Sequence, residues 1–284
     1  MSDRKTAMAE RYHWRAALAR VSVRMLSGHI SLVAAGCAFY ATLALFPALS
    51  MLVFLYGLVF DPVTVEPQLR QLHDLLPPSV FALIDARVLD LVSRPRETLS
   101  IGFALSSAIA VWSAMASTKA MLSALNVVYR QEERRSVLEI QVTALTMTLG
   151  ATFIAAVTVA LLVLMPALLS VVGLTDKHLL AIRVVGSLVL AIAVLMSLAL
   201  LYRFGPSRHR GGLRWLTAGA CLGTVLWLTA SFLFSLYVGQ VAGYDVAYGP
   251  LAAAVGMMMW FWVSAYVVLV GAQIDAEAER RMVA

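Results

Sequence analysis

An uncharged stretch of thirty residues, from residue 31 to residue 60, constrains this chain more than any other feature. About 20 apolar residues are enough for a helix to cross the hydrocarbon core of a bilayer. A soluble domain of this size does not bury thirty such residues in succession, so the stretch is interpreted as a membrane span. Small side chains between residues 34 and 41 predict close packing against another helix, and Pro47 predicts a bend.

The composition extends this interpretation to the whole chain. Hydrophobic residues make up 61% of the sequence and charged residues only 13%, against about 45–50% and 25% in soluble domains. A net charge of +6 suggests nucleic-acid binding in a soluble protein. In a polytopic membrane protein the basic residues instead mark the loops that stay in the cytoplasm.

Five further apolar runs predict an all-α protein with six transmembrane helices in one domain, residues 31–275. The third run is too long for one crossing and too short for two, so we expect one tilted helix that is broken near Pro166. The predicted spans are residues 31–60, 98–118, 140–172, 179–202, 215–239 and 250–274.

Short amphipathic helices are expected at both membrane surfaces. Residues 1–30 predict a cytoplasmic amphipathic segment, which either lies among anionic lipid headgroups or packs on other cytoplasmic segments. Residues 61–97 predict a periplasmic helical cap, and residues 276–284 a cytoplasmic tail.

The distribution of Lys and Arg predicts the orientation. An even number of spans places both termini on one side, and the segments on that side hold sixteen of the 22 basic residues. The three opposite loops hold five, and Arg183 lies inside the fourth span. Basic residues accumulate in cytoplasmic loops, so both termini are predicted to be cytoplasmic.

Four stretches together carry a family resemblance. They are AAGCAFYATLALFP at residues 34–47, LNVVYRQEERR at 125–135, the aromatic block at 227–249, and VGAQIDAEAER at 270–280. In this order and spacing they resemble the YihY/virulence factor BrkB family of bacterial inner-membrane proteins, once labelled ribonuclease BN. The resemblance covers about residues 20–280, with one departure at Ala44, where the family pattern leads us to expect a serine.

The resemblance implies a six-helix protein of the bacterial inner membrane, in a family associated with envelope phenotypes and proposed to export lipid-like molecules. It also marks the residues that match the family motifs as binding or structural candidates. These residues are Tyr40, Pro47, Asn126, Tyr129, Glu133, Arg134, Trp227, Tyr237, Tyr244, Asp245, Gly271 and Glu277.

The spacing of Asn126, Tyr129 and Glu133 places them on one face of a helix at the predicted cytoplasmic boundary. That face either contacts a lipid headgroup or holds an inner-loop helix through ordinary ion pairs. Gln273 and Asp275 are expected only to mark the membrane boundary at the end of the last helix.

Tyr244 and Asp245 lie in a short outer loop together with Tyr248. Two interpretations remain open for them. They gate an opening on the outer side, or they belong to an interfacial aromatic belt with one solvated acid.

Three functions compete: a transporter, a scaffold and, as the least favoured, a ribonuclease as in the old family label. Small, mildly polar faces on spans one and two favour a transporter or flippase-like protein that moves a lipid or other amphiphile. No ionisable residue is expected near the middle of a span, so this mechanism would lack an intramembrane proton relay. The alternative is a non-transporting scaffold with a cytoplasmic partner.

Enzymatic activity is not predicted. The five histidines are scattered along the chain, and no P-loop, H-E-x-x-H or G-x-S-x-G motif occurs. We therefore expect no cofactor, no metal and no specific nucleic acid. The expected partners are membrane lipids with anionic headgroups at the cytoplasmic face, and a homo-oligomer is left open.

Overall fold

The computed structural model describes residues 29–59, 95–171, 179–207, 217–240 and 251–283. Within these ranges the chain forms six α-helices and no strand, and each helix is long and apolar enough to cross a membrane. The predicted all-α, six-span architecture is thereby confirmed. The helices are α1 (His29–Val59), α2 (Arg96–Tyr129), α3 (Val137–Val171), α4 (Leu179–Phe204), α5 (Ala218–Gln240) and α6 (Leu251–Val283).

Two helices extend past the predicted spans, and the two prolines do not interrupt their helices. α2 continues through the expected inner loop to Tyr129, and α6 continues through the expected tail to Val283. α1 is helical across Pro47, and α3 is one continuous helix across Pro166, so the expected break there is wrong. Residues 1–28 and 60–94, which contain most of the expected surface helices, lie outside the described residues.

Local sequence explains where α2 ends and α3 begins. Arg130 adopts a left-handed conformation with φ of 54°, the conformation that commonly terminates a helix. Six residues later Ser136 and Glu139 form a capping box, in which the Ser136 amide donates to Glu139 Oε2 at 2.7 Å and the Glu139 amide donates to Ser136 Oγ at 3.3 Å.

The chain divides into two compact units. The first comprises Met1–Phe39 with Met115–Ala284, and the second Tyr40–Ala114. In the first unit α6 packs mainly on α5, and α4 packs on both α3 and α5. Its core includes Ala34, Leu125, Tyr202 and Leu269, each at most 1% exposed.

The contact between α5 and α6 depends on two glycines. A Cβ on Gly219 would collide with Asp275 Cβ and would lie 2.5 Å from the carbonyl oxygen of Gly271. A Cβ on Gly271 would lie 3.0 Å from the carbonyl oxygen of Gly219. Only residues without a side chain allow two membrane helices to approach this closely.

In the second unit, α2 has two chemically different faces. Bulky apolar side chains at Ile101, Leu105, Ile109 and Trp112 are exposed on one face, as expected for contact with lipid. The other face carries small side chains. Ser106, Ala110 and Ser113 are buried there, and the ring of Phe54 packs against Gly102.

Candidate functional site

Asn126 organises the end of α2. It is 6% exposed, and both ends of its amide group are used. Asn126 Nδ2 donates to Glu133 Oε2 at 2.8 Å, and the backbone amide of Ser207 donates to Asn126 Oδ1 at 2.7 Å. One side chain therefore joins the end of α2 to the turn that follows it and to the residue just beyond α4.

Glu133 reaches Asn126 for a different reason from the one predicted. The spacing predicts that both lie on one helix, but α2 ends at Tyr129 and Glu133 lies in the following non-helical segment. The left-handed turn at Arg130 reverses the chain and brings Glu133 back. The predicted helical face is therefore wrong for Glu133, which reaches Asn126 through the turn instead.

Arg135 fixes the carboxylate of Glu133. Arg135 Nε and Nη2 donate to the two oxygens of Glu133 at 2.8 and 2.9 Å, and Nη2 also donates to the carbonyl oxygen of Gly205 at 3.0 Å. Hydrogen bonds from Arg135, aided by those from Ser207 and Asn126, lower the pKa of Glu133 to about 2. Arg134 is exposed, and its backbone amide donates to Ser207 Oγ at 3.2 Å. Residues 130–136, which we call the return segment, are thus tied to the end of α4.

Tyr129 binds a buried carboxylate on another helix. Tyr129 Oη donates to Asp275 Oδ2 at 2.9 Å, and the two residues are 5% and 2% exposed. Asp275 lies within the candidate span Ala254–Arg280 of α6. The expectation that the last helix ends at Asp275 is wrong, because α6 continues to Val283, and neighbouring helices cover the Asp275 side chain.

A second tyrosine lies beside this pair. Tyr202 of α4 is 1% exposed, and its Oη donates to the carbonyl oxygen of Val268 at 2.6 Å. It lies close enough to Asp275 for an electrostatic interaction. With Gly219 of α5 against its Cβ, Asp275 is enclosed by α2, α4 and α5. We call Tyr129, Tyr202 and Asp275 the buried tyrosine–aspartate cluster.

Two charged residues that follow Asp275 on α6, Glu277 and Arg280, are engaged with each other and with the end of α2. Arg280 Nη1 lies 3.7 Å from Glu277 Oε2, and Arg280 Nη2 donates to the carbonyl oxygen of Val128 at 3.4 Å. The positive charge of Arg280 is stabilised at this position by the negative, C-terminal end of the α2 dipole. Within the described ranges no Lys, Arg or His forms an ion pair with Asp275.

Trp227 joins α5 to α6 at a different place. Its Nε1 donates to Ser264 Oγ at 3.2 Å, and its ring meets that of Trp260 edge to face with centroids 6.0 Å apart. Tyr237, ten residues further along α5, is 45% exposed and lies beside Phe234. Both are part of α5 but not of the buried cluster.

The remaining candidates do not belong to this site as the structure describes it. Tyr40 and Pro47 lie in the second unit, where Tyr40 is 39% exposed. Tyr244 and Asp245 fall outside the described residues.

Asp275 is the residue that sequence reasoning missed. A signal for it exists, because Gly271 lies four residues earlier on the same face of α6 and Gly219-x-x-x-Gly223 offers a matching face on α5. Paired small residues predict close approach of two helices. A carboxylate one turn beyond such a contact is then covered by the partner helix.

The family can be identified from the sequence as a whole. The profile of the virulence factor BrkB family matches residues 21–284. The chain belongs to the virulence factor BrkB family. This confirms the resemblance carried by the four stretches, and the BrkB assignment covers all six helices.

Relatives of this BrkB-family chain include a ribonuclease-like protein, YfkH of Bacillus subtilis (strain 168), with 28% identity over 253 residues, 86% of this chain and 88% of that protein. Two UPF0761 membrane proteins match over 87 residues. The one from Chromobacterium violaceum is 38% identical over 31% of this chain and 20% of its own length. The one from Alteromonas mediterranea is 34% identical over 31% of this chain and 29% of its own length. No solved structure matches significantly.

Proposed function

We propose that this BrkB-family membrane protein is a transporter or flippase-like protein that moves a lipid or other amphiphile across the bilayer. The observation that carries the proposal is the carboxylate of Asp275, which lies near the end of a candidate span, is covered by neighbouring helices and accepts a hydrogen bond from Tyr129. Ionisable groups inside spans are costly and commonly mark a substrate or ion pathway. Where the only role of a buried side chain is to hold helices together, apolar residues stabilise the contact as well as a carboxylate or better.

The two-faced character of α2 in the second unit also supports the proposal. Its buried face carries the hydroxyl groups of Ser106 and Ser113, whereas its exposed face is entirely apolar at Ile101 and Leu105. A hydroxyl-bearing face lowers the desolvation penalty for a polar headgroup that moves along the helix.

The return segment offers a contact for the headgroup itself. Arg130 and Arg134 are exposed in the same segment as the Glu133–Arg135 pair. Exposed basic residues at a membrane boundary attract anionic lipids. With the predicted orientation, these side chains face the cytoplasmic leaflet.

The return segment also favours the second candidate, a scaffold with a cytoplasmic partner. Asn126 and Arg135 hold this exposed segment in one conformation through their bonds to Ser207 and Gly205. A surface that is ordered before binding loses less entropy when a partner docks. This candidate needs no passage for lipid.

Ribonuclease activity has the least support. The word belongs to the name of the Bacillus relative. Metal-dependent hydrolysis of RNA uses clustered His and carboxylate ligands. In the part of the chain that the structure describes, no three His, Cys, Asp or Glu side chains are grouped to hold a metal ion.

The test is a lipid-translocation assay with purified protein in sealed proteoliposomes that contain labelled anionic or zwitterionic lipids. We expect protein-dependent flipping that Tyr129→Ala slows, because the substitution removes the donor to Asp275. Phe153→Ala, at an aromatic residue 70% exposed on α3, is the matched control and leaves the rate unchanged. Arg134→Ala slows only the anionic lipid, and Arg134→Lys retains the rate.

Flipping equal to that of empty liposomes for every lipid contradicts the proposal. In that case the scaffold hypothesis takes its place, and crosslinking from residues 130 and 134 in cells identifies the partner.

A further inference from the structure

The two halves of α6 differ in how they are covered. In the N-terminal half, Val255, Met257, Met258 and Met259 are 39–48% exposed, as expected for side chains that contact lipid. In the C-terminal half, from residue 261 to residue 280, no residue is exposed. Other parts of the chain therefore cover this half of the helix on all sides.

One stripe of the C-terminal half faces away from α5. It comprises Trp262, Tyr266, Gln273 and Glu277, which recur at helical spacing, and we call it the α6 stripe. Gly271, which contacts α5, lies on the opposite side of the helix. Gln273 is only 3% exposed. Because glutamine is mostly exposed in folded proteins, this burial indicates that a further segment lies over the stripe.

The beginning of α1 lies beside the α6 stripe. Trp262 Nε1 donates to the carbonyl oxygen of Ser31 at 3.3 Å, and α1 begins two residues earlier, at His29. Consecutive spans cross a membrane in opposite directions, so α1 and α6 are antiparallel. The chain that precedes His29 therefore starts beside Trp262, and α1 itself does not extend along the rest of the stripe.

The length that remains to be covered matches the length of this preceding segment. α6 continues for 21 residues beyond Trp262, to Val283, which is about 30 Å at 1.5 Å per residue. A helix formed by residues 11–25 measures about 22 Å on the same scale. Residues 26–28 supply the connection to α1.

The pattern of the preceding segment suits a surface of this kind. Trp14, Leu18, Val21 and Met25 fall on one side of a helix, and arginines flank them. On the α6 stripe, the rings of Trp262 and Tyr266 are stacked with centroids 5.7 Å apart. Such a pair offers an apolar surface to the apolar side of the segment.

Charge distinguishes the end of α6 from the other predicted cytoplasmic segments. Residues 1–28 contain six basic and two acidic residues. Residues 119–136 contain four basic and two acidic residues, and residues 203–214 contain four basic residues and no acid. Only residues 271–284 have an excess of acids, three against two basic residues. Complementary charge selects partners and opposes like-charged ones, so the basic segment is attracted to this end of α6.

We propose that residues 11–25 form an amphipathic helix that docks on the α6 stripe, with the apolar side against Tyr266 and arginines beside Glu277. Of the two interpretations that the sequence leaves open, this selects packing on a cytoplasmic segment over contact with lipid headgroups. The docked helix joins the beginning of α1 to the end of α2, because Arg280 of α6 donates to the carbonyl oxygen of Val128. The inference does not depend on lipid transport.

The experiment is photo-crosslinking of the purified full-length protein in nanodiscs that contain anionic lipid. The photoreactive residue p-benzoylphenylalanine replaces Trp14 on the apolar side of the segment. The matched control carries the same probe at Ala16, on the opposite side of the predicted helix. We expect mass spectrometry to find crosslinks within one chain from position 14 to residues 262–280, and fewer from position 16.

A charge-reversal pair tests the contact at Glu277. Glu277→Lys lowers the yield of this crosslink by about threefold, the size of effect expected for a partly exposed ion pair. Glu132→Lys makes the same change of net charge at an exposed residue of the return segment and leaves the yield unchanged. If the two substitutions lower the yield equally, net charge and not the contact is responsible, and the proposal fails.

Three other results overturn the proposal. They are lipid adducts at position 14 in place of protein crosslinks, a covalent dimer formed with a second copy of the chain, and equal yields from positions 14 and 16. Size-exclusion chromatography verifies that each variant is folded. If the variant at Trp14 is not, the probe at Leu18, on the same side of the segment, gives the decision by the same criteria.

Discussion

Two glycine contacts, one in each unit, show how differently the two parts of the chain are built. In the first unit Gly219 faces the backbone of α6, with a carbonyl oxygen 2.5 Å from the position of an added Cβ. In the second unit the three atoms nearest to an added Cβ on Gly102 all belong to the ring of Phe54, the closest at 2.6 Å. A phenyl ring can rotate away, whereas a helix backbone cannot move alone. The same residue type therefore fixes a helix pair in one unit and only fills a space in the other.

Polar side chains show the same contrast. In the first unit, Tyr129, Tyr202 and Ser117 donate to acceptors on other helices, the last to the carbonyl oxygen of Cys37 at 3.1 Å. In the second unit, the hydroxyls of Ser50 and Ser106 donate to carbonyls of their own helices. Bonds between helices specify how the helices pack, and bonds within a helix do not. The three bonds of the first unit therefore specify how α2 packs on α1 and α6 and how α4 packs on α6.

Gly219→Ala is expected to give the largest effect. The added methyl group has to push α5 and α6 apart, and overpacking of this kind costs about 1–3 kcal/mol in unfolding free energy. Thermal unfolding in detergent, followed by size-exclusion chromatography, measures the loss. Gly150→Ala is the control, since nothing lies within 4 Å of its added Cβ and alanine favours a helix. Equal unfolding midpoints for the two variants would show that the backbone atoms at the α5–α6 contact leave room for an added methyl group.

Tyr129→Phe is expected to come next, with a loss of about 2 kcal/mol, because a hydrogen bond to a buried carboxylate is removed. The same unfolding assay measures it at neutral pH. Tyr237→Phe, at an exposed tyrosine of α5, serves as the comparison and should change the midpoint little. A Tyr129→Phe protein as stable as wild type contradicts the view that cross-helix bonds specify this unit.

Glu133→Gln is expected to have a smaller, pH-dependent effect. The pKa of Glu133 is lowered from 4.5 to about 2, chiefly by Arg135, so its contribution to stability is present above pH 4.5 and is lost as the pH falls toward 2. Because the group is partly exposed to solvent, the contribution is below about 1 kcal/mol.

The measurement compares unfolding midpoints of wild type, Glu133→Gln and Glu132→Gln across this pH window. Only Glu133→Gln should lose part of the acid dependence. If Glu132→Gln removes the same amount, the return segment is not held by the Glu133 carboxylate.

Gly102→Ala is expected to have the smallest effect, within about 0.5 kcal/mol of wild type in either direction. The ring of Phe54 has to shift, and the higher helix propensity of alanine offsets part of this cost. The unfolding assay used for Gly219→Ala gives the direct comparison. A loss as large as that of Gly219→Ala would remove the distinction between the two units.

The fold could be predicted because each membrane span is encoded by one continuous apolar run of the sequence. An uncharged run of about 20 residues is sufficient evidence for a crossing, and all six predicted crossings correspond to helices. The ends of the helices could not be predicted in the same way. Charged residues near Lys119 and after Asp275 end the apolar run, but they do not end the hydrogen bonding of the helix.

The site could be predicted only in part. Helical spacing and the family resemblance grouped Asn126 with Tyr129 and Glu133. The structure places Asn126 and Tyr129 at the end of α2 and Glu133 in the return segment, where it accepts a hydrogen bond from Asn126. The left-handed turn at Arg130 gave no signal, since arginine is not typical there. The burial of Asp275 depends on which helix packs beside it, and a single sequence contains that information only indirectly, in Gly219 and Gly271.

The length of α6 has a consequence for access to its carboxylate. Its 33 residues give a rod of about 50 Å at 1.5 Å per residue, whereas the hydrocarbon core is only about 30 Å thick. If the apolar first part of the helix fills that core, its last dozen residues extend into the headgroup layer and the water beyond. Asp275 then lies near the end of the span, where the neighbouring helices, and not the hydrocarbon alone, shield it.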